Sequence, residues 1–306
     1  MANTKDIKEL MNLTSAGMMD CKKALDEANG DIGEAQKILR EKGKASQEKK
    51  AGRAAAEGLV ASFIDNGKGI VIEVNSETDF VAKNETFIDF VNNAAKSAHA
   101  ANPADLDALL AAPMQGTSGS IKDALDELFL KIRENLKIRR FKIMDGVLGS
   151  YIHNGGEIAV LVNLKTDIDP ENAAVKECAK NVAMQIAAMN ATYLDTASVP
   201  ADVIETEKEI AMKQLAEDPK NANKPEQVKA KIAEGKIKKF LNENCLLNQA
   251  YVKDDKLTIA QYVAGVAKEQ GGSIEITEFV RFQKGEGLEK KADNFAEEVA
   301  QLAKGN

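Results

Sequence analysis

An internal duplication constrains the fold of this chain more than any other feature of its sequence. Residues 57–79 and 145–167 align without a gap, and ten of the 23 positions are identical. Each copy consists of an apolar run, an Asn-Gly pair (Asn66-Gly67 and Asn154-Gly155) and a second apolar run. Because Asn and Gly both tolerate positive φ angles, the repeat predicts two β-hairpins of the same design.

Each predicted hairpin is followed by a stretch with the apolar spacing of a helix. The apolar faces consist of Phe87, Phe90, Val91 and Ala94 after the first copy, and of Val175, Cys178, Val182 and Ile186 after the second. Further strands are predicted at 138–143, near the second hairpin, and at 274–282. The sequence therefore predicts an α+β core of two duplicated subdomains, each a small antiparallel sheet flanked by helices.

The first 43 residues predict three short helices. We expect Asp20 and Asp31 to cap the second and third helices, Asn29-Gly30 to close the second, and Gly43 to end the third. Positions 37–53 hold seven basic residues and two acidic ones. This local charge indicates either a solvated helix end and tether or a contact with an acidic partner.

The predicted organisation has four parts. They are a three-helix domain with its basic linker (1–55), a core N-subdomain (56–140), a core C-subdomain (141–283) and a C-terminal helix module (284–306). Within the C-subdomain, 200–241 has two helical patterns with thin apolar stripes, which predicts a helical hairpin that protrudes from the core. Phe295, Val299 and Leu302 predict the C-terminal helix.

Charge and composition exclude several classes of function. The net charge of −7 argues against a general nucleic-acid binder, which needs a basic surface. No apolar run reaches the roughly 18 residues of a membrane span, and the N-terminus lacks the apolar stretch of a signal peptide. The widely spaced Cys21, Cys178 and Cys245 predict reduced thiols in a cytoplasmic protein, and the first two are expected to be buried in helices.

The motifs of known enzyme classes are missing. The chain has two histidines, His99 and His153, and no HExxH, GxSxG, Walker or dinucleotide-binding glycine motif. We therefore expect no enzyme activity, no cofactor and no metal site. His153 stands beside Asn154-Gly155 in a predicted hairpin, where a surface or contact role is expected.

The segment 78–84, after the first hairpin, allows two interpretations. In the structural one, Asp79 caps a helix and Phe80 enters the core, and the second copy keeps Thr166-Asp167 as a structural cap would. In the functional one, Phe80 is an exposed interface anchor. The local pattern favours the first interpretation. One observation favours the second, because Ile168 stands where the first copy has Phe80.

Several longer motifs occur along the chain. In order, they are SAGMMDCKKAL at 15–25, ANGD at 28–31, EVNSETDFVAK at 73–83, IRRF at 138–141, GSYIH at 149–153, FVRF at 279–282 and GEG at 285–287. Together they resemble the motifs of the bacterial elongation factor Ts family, and the resemblance covers essentially the whole chain. It implies a ubiquitin-associated-like N-terminal domain, a duplicated core, a protruding helical hairpin and a C-terminal helix.

The resemblance also implies a function and a set of contact residues. The family consists of guanine nucleotide exchange factors that bind the GTPase elongation factor Tu and promote GDP release. The segment that the family inserts beside the magnesium site of the GTPase domain corresponds to Thr78, Asp79, Phe80 and Val81. The three-helix domain, through Met18, Met19 and Lys22, is expected to dock on the same GTPase domain, and His153 is expected to meet another domain of the partner.

Two departures from the family pattern, two competing functions and the role of the helical hairpin stay open at this stage. Glu157 stands where the family has a basic residue after Gly-Gly, which weakens any expectation of a positive contact there, and Arg133 stands where glycine is common. An adaptor without exchange activity and a small-molecule enzyme are the competing functions. The helical hairpin is compatible with a homodimer contact, with partner binding or with neither.

Overall fold

The computed structural model describes residues 2–14 and 16–289. The helices are α1 (Thr4–Thr14), α2 (Met18–Glu27), α3 (Ile32–Lys50), α4 (Asp79–Ala82), α5 (Glu85–Ala101), α6 (Leu106–Ala111), α7 (Ile121–Ile132), α8 (Ala173–Met189), α9 (Ala201–Glu217), α10 (Glu226–Asn244) and α11 (Ile259–Glu269). The strands are β1 (Glu57–Asp65), β2 (Lys68–Ser76), β3 (Lys137–Asp145), β4 (Val147–His153), β5 (Ile158–Thr166), β6 (Ala250–Tyr251), β7 (Asp254–Thr258) and β8 (Ile274–Gln283). The predicted α+β class is confirmed.

Both copies of the repeat form the predicted hairpins. Asn66 and Gly67 connect β1 to β2 with φ angles of 48° and 72°, and Asn154 and Gly155 follow β4 with φ angles of 46° and 64°. Each hairpin gains a third antiparallel strand, giving the orders β1-β2-β3 and β4-β5-β8. Positive φ at both turn residues is what selects Asn-Gly at these positions.

The strand predicted near the second hairpin belongs to the first sheet. β3 pairs with β2 along its length, and Gly146 alone separates the end of β3 from the start of β4. The N–H of Gly146 donates to the carbonyl of Gly67 at 2.8 Å. The chain therefore crosses from one sheet to the other at a single glycine. Proximity in sequence does not reveal that β3 and β4 belong to different sheets.

The two sheets pack against each other and carry helices on their outer faces. Alternate residues of β2 point in opposite directions: Ile70, Ile72 and Val74 pack with α5 and α7, and Val71 packs toward the second sheet. Contacts between the sheets include Val60, Val71, Ala159 and Phe282. The second sheet packs its outer face on α8 and α11. Burial on both faces explains why the sequence of β2 is an almost continuous apolar run.

The three-helix module at the N-terminus has its own small core, and its capping differs from the prediction. Asp31 caps α3 as predicted, accepting from the N–H of Glu34 at 2.8 Å. Asp20 does not cap α2, because α2 begins at Met18 with Gly17 as its N-cap. The Asp20 carboxylate lies within the first helical turn and forms an ion pair with Arg133 of the core.

The expectation that Gly43 ends α3 is wrong, since α3 continues to Lys50. A Cβ at position 43 would approach the Cδ2 atom of Leu130 to 2.5 Å. The glycine therefore permits close packing of α3 on α7 and does not terminate the helix.

Four basic side chains of the stretch 37–53 contact other residues of the same chain. Lys37 pairs with Glu34 at 3.1 Å, Lys42 with Glu27 and Arg53 with Glu77 at 3.4 Å. The ammonium of Lys50 donates to the carbonyl of Arg133. These contacts favour the helix-end interpretation over an acidic partner.

Helices α9 and α10 form the predicted helical hairpin. They pack on each other through the buried Ala211, Leu215 and Ala233, whereas Ile210 and Val228 of the predicted stripe are exposed. Among the described residues, no helix has the length and apolarity to cross a membrane. The predicted helix around Phe295, Val299 and Leu302 lies outside the described residues.

The three cysteines are buried and free, as predicted for Cys21 and Cys178. Burial raises the pKa of the Cys178 thiol to about 11. Such a thiol is almost entirely protonated at neutral pH and behaves as a small apolar side chain.

Candidate partner-binding site

The segment after the first hairpin forms a one-turn helix that displays one aromatic ring. Phe80 is 80% exposed, whereas the next two residues, Val81 and Ala82, are 9% and 6% exposed and face the core. The interpretation that Phe80 is a core residue is therefore wrong. Large exposed apolar side chains on an ordered turn mark binding surfaces.

The cap of this turn is Thr78, not Asp79. Thr78 has the extended backbone of an N-cap, and its hydroxyl accepts from the N–H of Val81 at 3.5 Å. Asp79 occupies the first helical position and pairs with Lys83 at 2.7 Å. The hydrogen bond from Lys83 lowers the pKa of the Asp79 carboxyl, and the same contact raises the pKa of the Lys83 ammonium.

The second copy of the repeat is built differently at the equivalent place. The hydroxyl of Thr166 donates to the carbonyl of Ser273, and the Asp167 carboxylate accepts from the N–H of Ser273, both at 2.6 Å. Ile168 packs against the second core. Of the two equivalent positions, the first copy alone exposes its apolar side chain.

The carboxylate of Glu134 holds the turn that carries Phe80. Its Oε2 atom accepts from the N–H groups of Glu77 at 3.1 Å and Thr78 at 3.0 Å, and its Oε1 atom accepts from the Thr78 hydroxyl at 2.7 Å. In return, the Glu77 carboxylate accepts from the N–H of Asn135 at 2.6 Å. The exposed ring is thus attached to a turn that is fixed from the opposite side.

Sequence reasoning did not single out Glu134. It lies 56 residues from Thr78, beyond the reach of any local capping pattern, and no motif marks a glutamate as the acceptor for a distant turn. The one available signal is Arg133, because a residue in place of the common glycine draws attention to this segment.

The remaining predicted contact residues lie in two places. Met18, Met19 and Lys22 are on α2, where the two methionines are 59% and 62% exposed and Lys22 is also exposed. The helix that carries them is joined to the core near the Phe80 turn by the ion pair of Asp20 with Arg133.

His153 lies elsewhere, at the exposed end of β4 in the second sheet. Its Nδ1 atom is 3.5 Å from the hydroxyl of Tyr151. Glu157, a departure from the family pattern, accepts from the Asn154 amide at 2.6 Å in the same turn. The acidic side chain therefore supports the second hairpin.

The geometry of the Phe80 turn suits binding to another molecule. The described residues contain no cluster of three or more His, Cys, Asp or Glu side chains that could hold a metal ion.

His99, the other histidine of the sequence, contacts the first hairpin. Its Nε2 atom lies 3.1 Å and 3.2 Å from the carbonyls of Asp65 and Lys68, on either side of the Asn66-Gly67 turn.

Comparison with known proteins identifies similar sequences. The family model described as Elongation factor TS matches residues 77–286. Elongation factor Ts of Clostridium perfringens (strain 13 / Type A) is 46% identical over 307 residues, which cover 99% of each chain. Elongation factor Ts of Syntrophotalea carbinolica is 46% identical over 301 residues, covering 97% of this chain and 98% of the relative. A match of this extent, which includes the turn and its supporting segment, shows that the chain belongs to the elongation factor Ts family.

Proposed function

We propose that this chain is a guanine nucleotide exchange factor. It binds elongation factor Tu in complex with GDP, displaces magnesium and promotes GDP release, so that GTP can bind. The observation that carries the proposal is the exposed ring of Phe80 on a fixed turn, together with membership of the family. The proposed place of action is the cytoplasm, and the chain makes and breaks no covalent bond.

The physical basis of exchange is thermodynamic linkage. Magnesium and backbone N–H groups hold the diphosphate in a closed arrangement of the GTPase. A protein that binds a different arrangement more tightly weakens nucleotide binding by the same factor by which nucleotide weakens its own binding. Inserting the turn Thr78–Val81 beside the magnesium site would favour that different arrangement.

The magnitude available from the ring indicates that other contacts must contribute. Burying one Phe side chain is worth roughly 1.5–3 kcal/mol, or about one to two decades in an equilibrium constant. We propose that Met18, Met19, Lys22 and His153 provide additional binding that holds the ring in place. Three exposed sites on three parts of the chain fit a partner with more than one domain.

A nucleotide release assay tests the proposal. Elongation factor Tu is loaded with a fluorescent GDP derivative, and release is followed with and without this protein. We expect the wild type to accelerate release and Phe80→Ala to lose about ten- to a hundredfold of that acceleration, because the variant cannot bury the ring.

The matched control is Met189→Ala, which removes an exposed apolar side chain (45%) from the second subdomain. Met189→Ala should accelerate GDP release as much as the wild type does. The free energies of unfolding of both variants should lie within about 0.5 kcal/mol of the wild-type value. Failure of the wild type to accelerate release would refute the proposal. A stable complex with an unaltered release rate would instead support the adaptor function.

A further inference from the structure

The segment Arg133–Asn135 connects the Phe80 turn to the three-helix module. We propose that it is a positioning element, with Glu134 as the positioning residue, that fixes the exposed ring relative to the docking surface of that module. This inference rests on the proposed function, since it concerns how two partner-binding parts of the chain are held together. Each of the three consecutive residues contacts a different part of the molecule.

Glu134 provides the contact with the turn. Two backbone N–H groups and one hydroxyl, from Glu77 and Thr78, converge on its carboxylate at 2.7–3.1 Å. Hydrogen bonds to an ionised acceptor are the stronger kind. Thr78 is also the N-cap of the one-turn helix, so the same residue connects Glu134 to the backbone that carries Phe80.

Asn135 provides the contact with the linker between α3 and β1. Its amide donates to the carbonyls of Ala51 at 3.2 Å and Arg53 at 2.8 Å. Its own N–H donates to the Glu77 carboxylate, which also pairs with Arg53. Asn135 is buried, so these bonds are shielded from water.

Arg133 provides the contact with the three-helix module. Its guanidinium pairs with Asp20 on α2, and its carbonyl accepts from the ammonium of Lys50 at the end of α3. Asp20 lies next to Met19 in the helix that displays the exposed methionines.

The segment is itself held between two rigid elements. The N–H of Arg133 donates to the carbonyl of Phe129 at 2.8 Å, which closes α7, and β3 begins at Lys137. Because α7 is packed into the first core, a movement of the module or of the turn is resisted by the whole N-subdomain.

Loss of the Glu134 carboxylate should affect the rate of exchange more than binding. The module would still dock, but the turn would spend less time in the orientation that displaces magnesium. A change in orientation lowers the maximal rate of a process without removing the contacts that give affinity.

The test compares Glu134→Gln with Glu127→Gln, an exposed glutamate on α7, the helix that precedes the segment. Glutamine has nearly the same shape but replaces one acceptor oxygen by a donor group. In the protein alone, we expect the amide hydrogens of Glu77 and Thr78 to exchange about tenfold faster in Glu134→Gln. With the GTPase, the maximal GDP release rate should fall about tenfold, while the half-saturating concentration changes less than about threefold.

A double-mutant cycle with Thr78→Val separates positioning from general damage. If the two residues act through their shared contact, the double variant should lose little more release rate than either single variant. Unchanged amide exchange in Glu134→Gln, or an unchanged maximal release rate beside an active wild type, would overturn the inference. Equal losses of rate, affinity and thermal stability would overturn it as well, by showing a merely structural role.

The two proposals fail separately. An inactive wild type refutes exchange activity, and the positioning role in exchange falls with it. An active wild type with an indifferent Glu134→Gln variant leaves exchange intact and removes only the positioning role.

Discussion

Phe80 and Arg133 each adopt a state that is uncommon for their residue type. The hydrogen bonds from Glu77 and Thr78 to Glu134 connect the two positions. Phe80 is 80% exposed, and apolar surface that stays in water contributes nothing to folding. Arg133 has φ of 62°, a left-handed conformation that costs a residue with a Cβ roughly 1–2 kcal/mol. Outliers of this kind cluster where function requires them.

The backbone cost at Arg133 can be isolated by comparing two substitutions. Both Arg133→Ala and Arg133→Gly remove the ion pair with Asp20, but only glycine relieves the left-handed strain. We therefore expect Arg133→Gly to be more stable than Arg133→Ala by about 1 kcal/mol. Chemical denaturation of the two variants measures this difference, and equal free energies of unfolding would show that position 133 carries no strain.

At the scale of elements, glycines inside two helices serve different purposes. Gly43 in α3 faces Leu130 of α7 so closely that a Cβ would meet its Cδ2 atom at 2.5 Å. A Cβ added at Gly235 in α10 would meet no such neighbour within 4 Å. Helix propensity alone treats the two positions alike, because alanine is favoured over glycine in either helix.

Packing should reverse the effect of one of two identical substitutions. Gly235→Ala is expected to stabilise α10 by up to about 1 kcal/mol, since it gains helix propensity and meets nothing. Gly43→Ala gains the same propensity but must displace Leu130, so we expect no net stabilisation. Amide hydrogen exchange within each helix of the full chain measures both effects. Equal gains in α3 and α10 would contradict the role assigned to Gly43.

The elements differ in how far local sequence could predict them. The Asn-Gly pairs predicted both hairpins because the turn conformation is a property of two adjacent residues. Helix α3 was predicted too short because Gly43 resembles a helix terminator in its local sequence. The close contact with α7 is what requires a glycine at this position. The partner of β3 was not predictable from position, because it depends on how the sheets are arranged in space.

At the scale of the molecule, a buried charge joins the first sheet to the end of β8. Glu73 is fully buried and pairs with Arg139 and Arg140 of β3. The N–H of Gly285, beyond β8, donates to the same carboxylate at 2.8 Å. The Arg139 and Arg140 guanidiniums also donate to the carbonyls of Glu286 and Gln283.

This network should make stability depend on pH in the acid range. Burial on its own raises the pKa of the Glu73 carboxyl, but hydrogen bonds from Gly285, Asn75 and Arg140 outweigh it and hold the pKa below its ordinary value. Glu73 therefore stabilises the fold above the unfolded-state pKa of about 4.3, and this stabilisation is lost as pH falls through the folded-state pKa. At pH 7 we expect Glu73→Gln to cost about 2–4 kcal/mol of unfolding free energy.

The measurement is denaturation of the wild type and Glu73→Gln at pH 7 and in steps below pH 4. The gap between them should narrow as the pH falls. The control is Glu275→Gln, an exposed residue of β8, which should differ from the wild type by less than about 0.5 kcal/mol at each pH. A gap that stays constant with pH would contradict the role of the Glu73 charge.

What the sequence determined by itself was local or repeated. The duplication fixed two hairpins with a helix after each, the apolar spacing fixed which faces of α5 and α8 are buried, and the motifs indicated the family. Each depends on residues close in sequence or on comparison with a second copy, so no three-dimensional contact is needed to recognise it.

Tertiary structure alone decided whether the ring of Phe80 is buried or exposed, and what holds it. Both interpretations of 78–84 fit the local pattern, because a one-turn helix can point either face inward. The choice depends on Val81 filling the core and on Glu134 accepting bonds from a turn 56 residues away. Such contacts form only when distant segments pack, and this is why the physical basis of the candidate site was beyond the reach of the sequence.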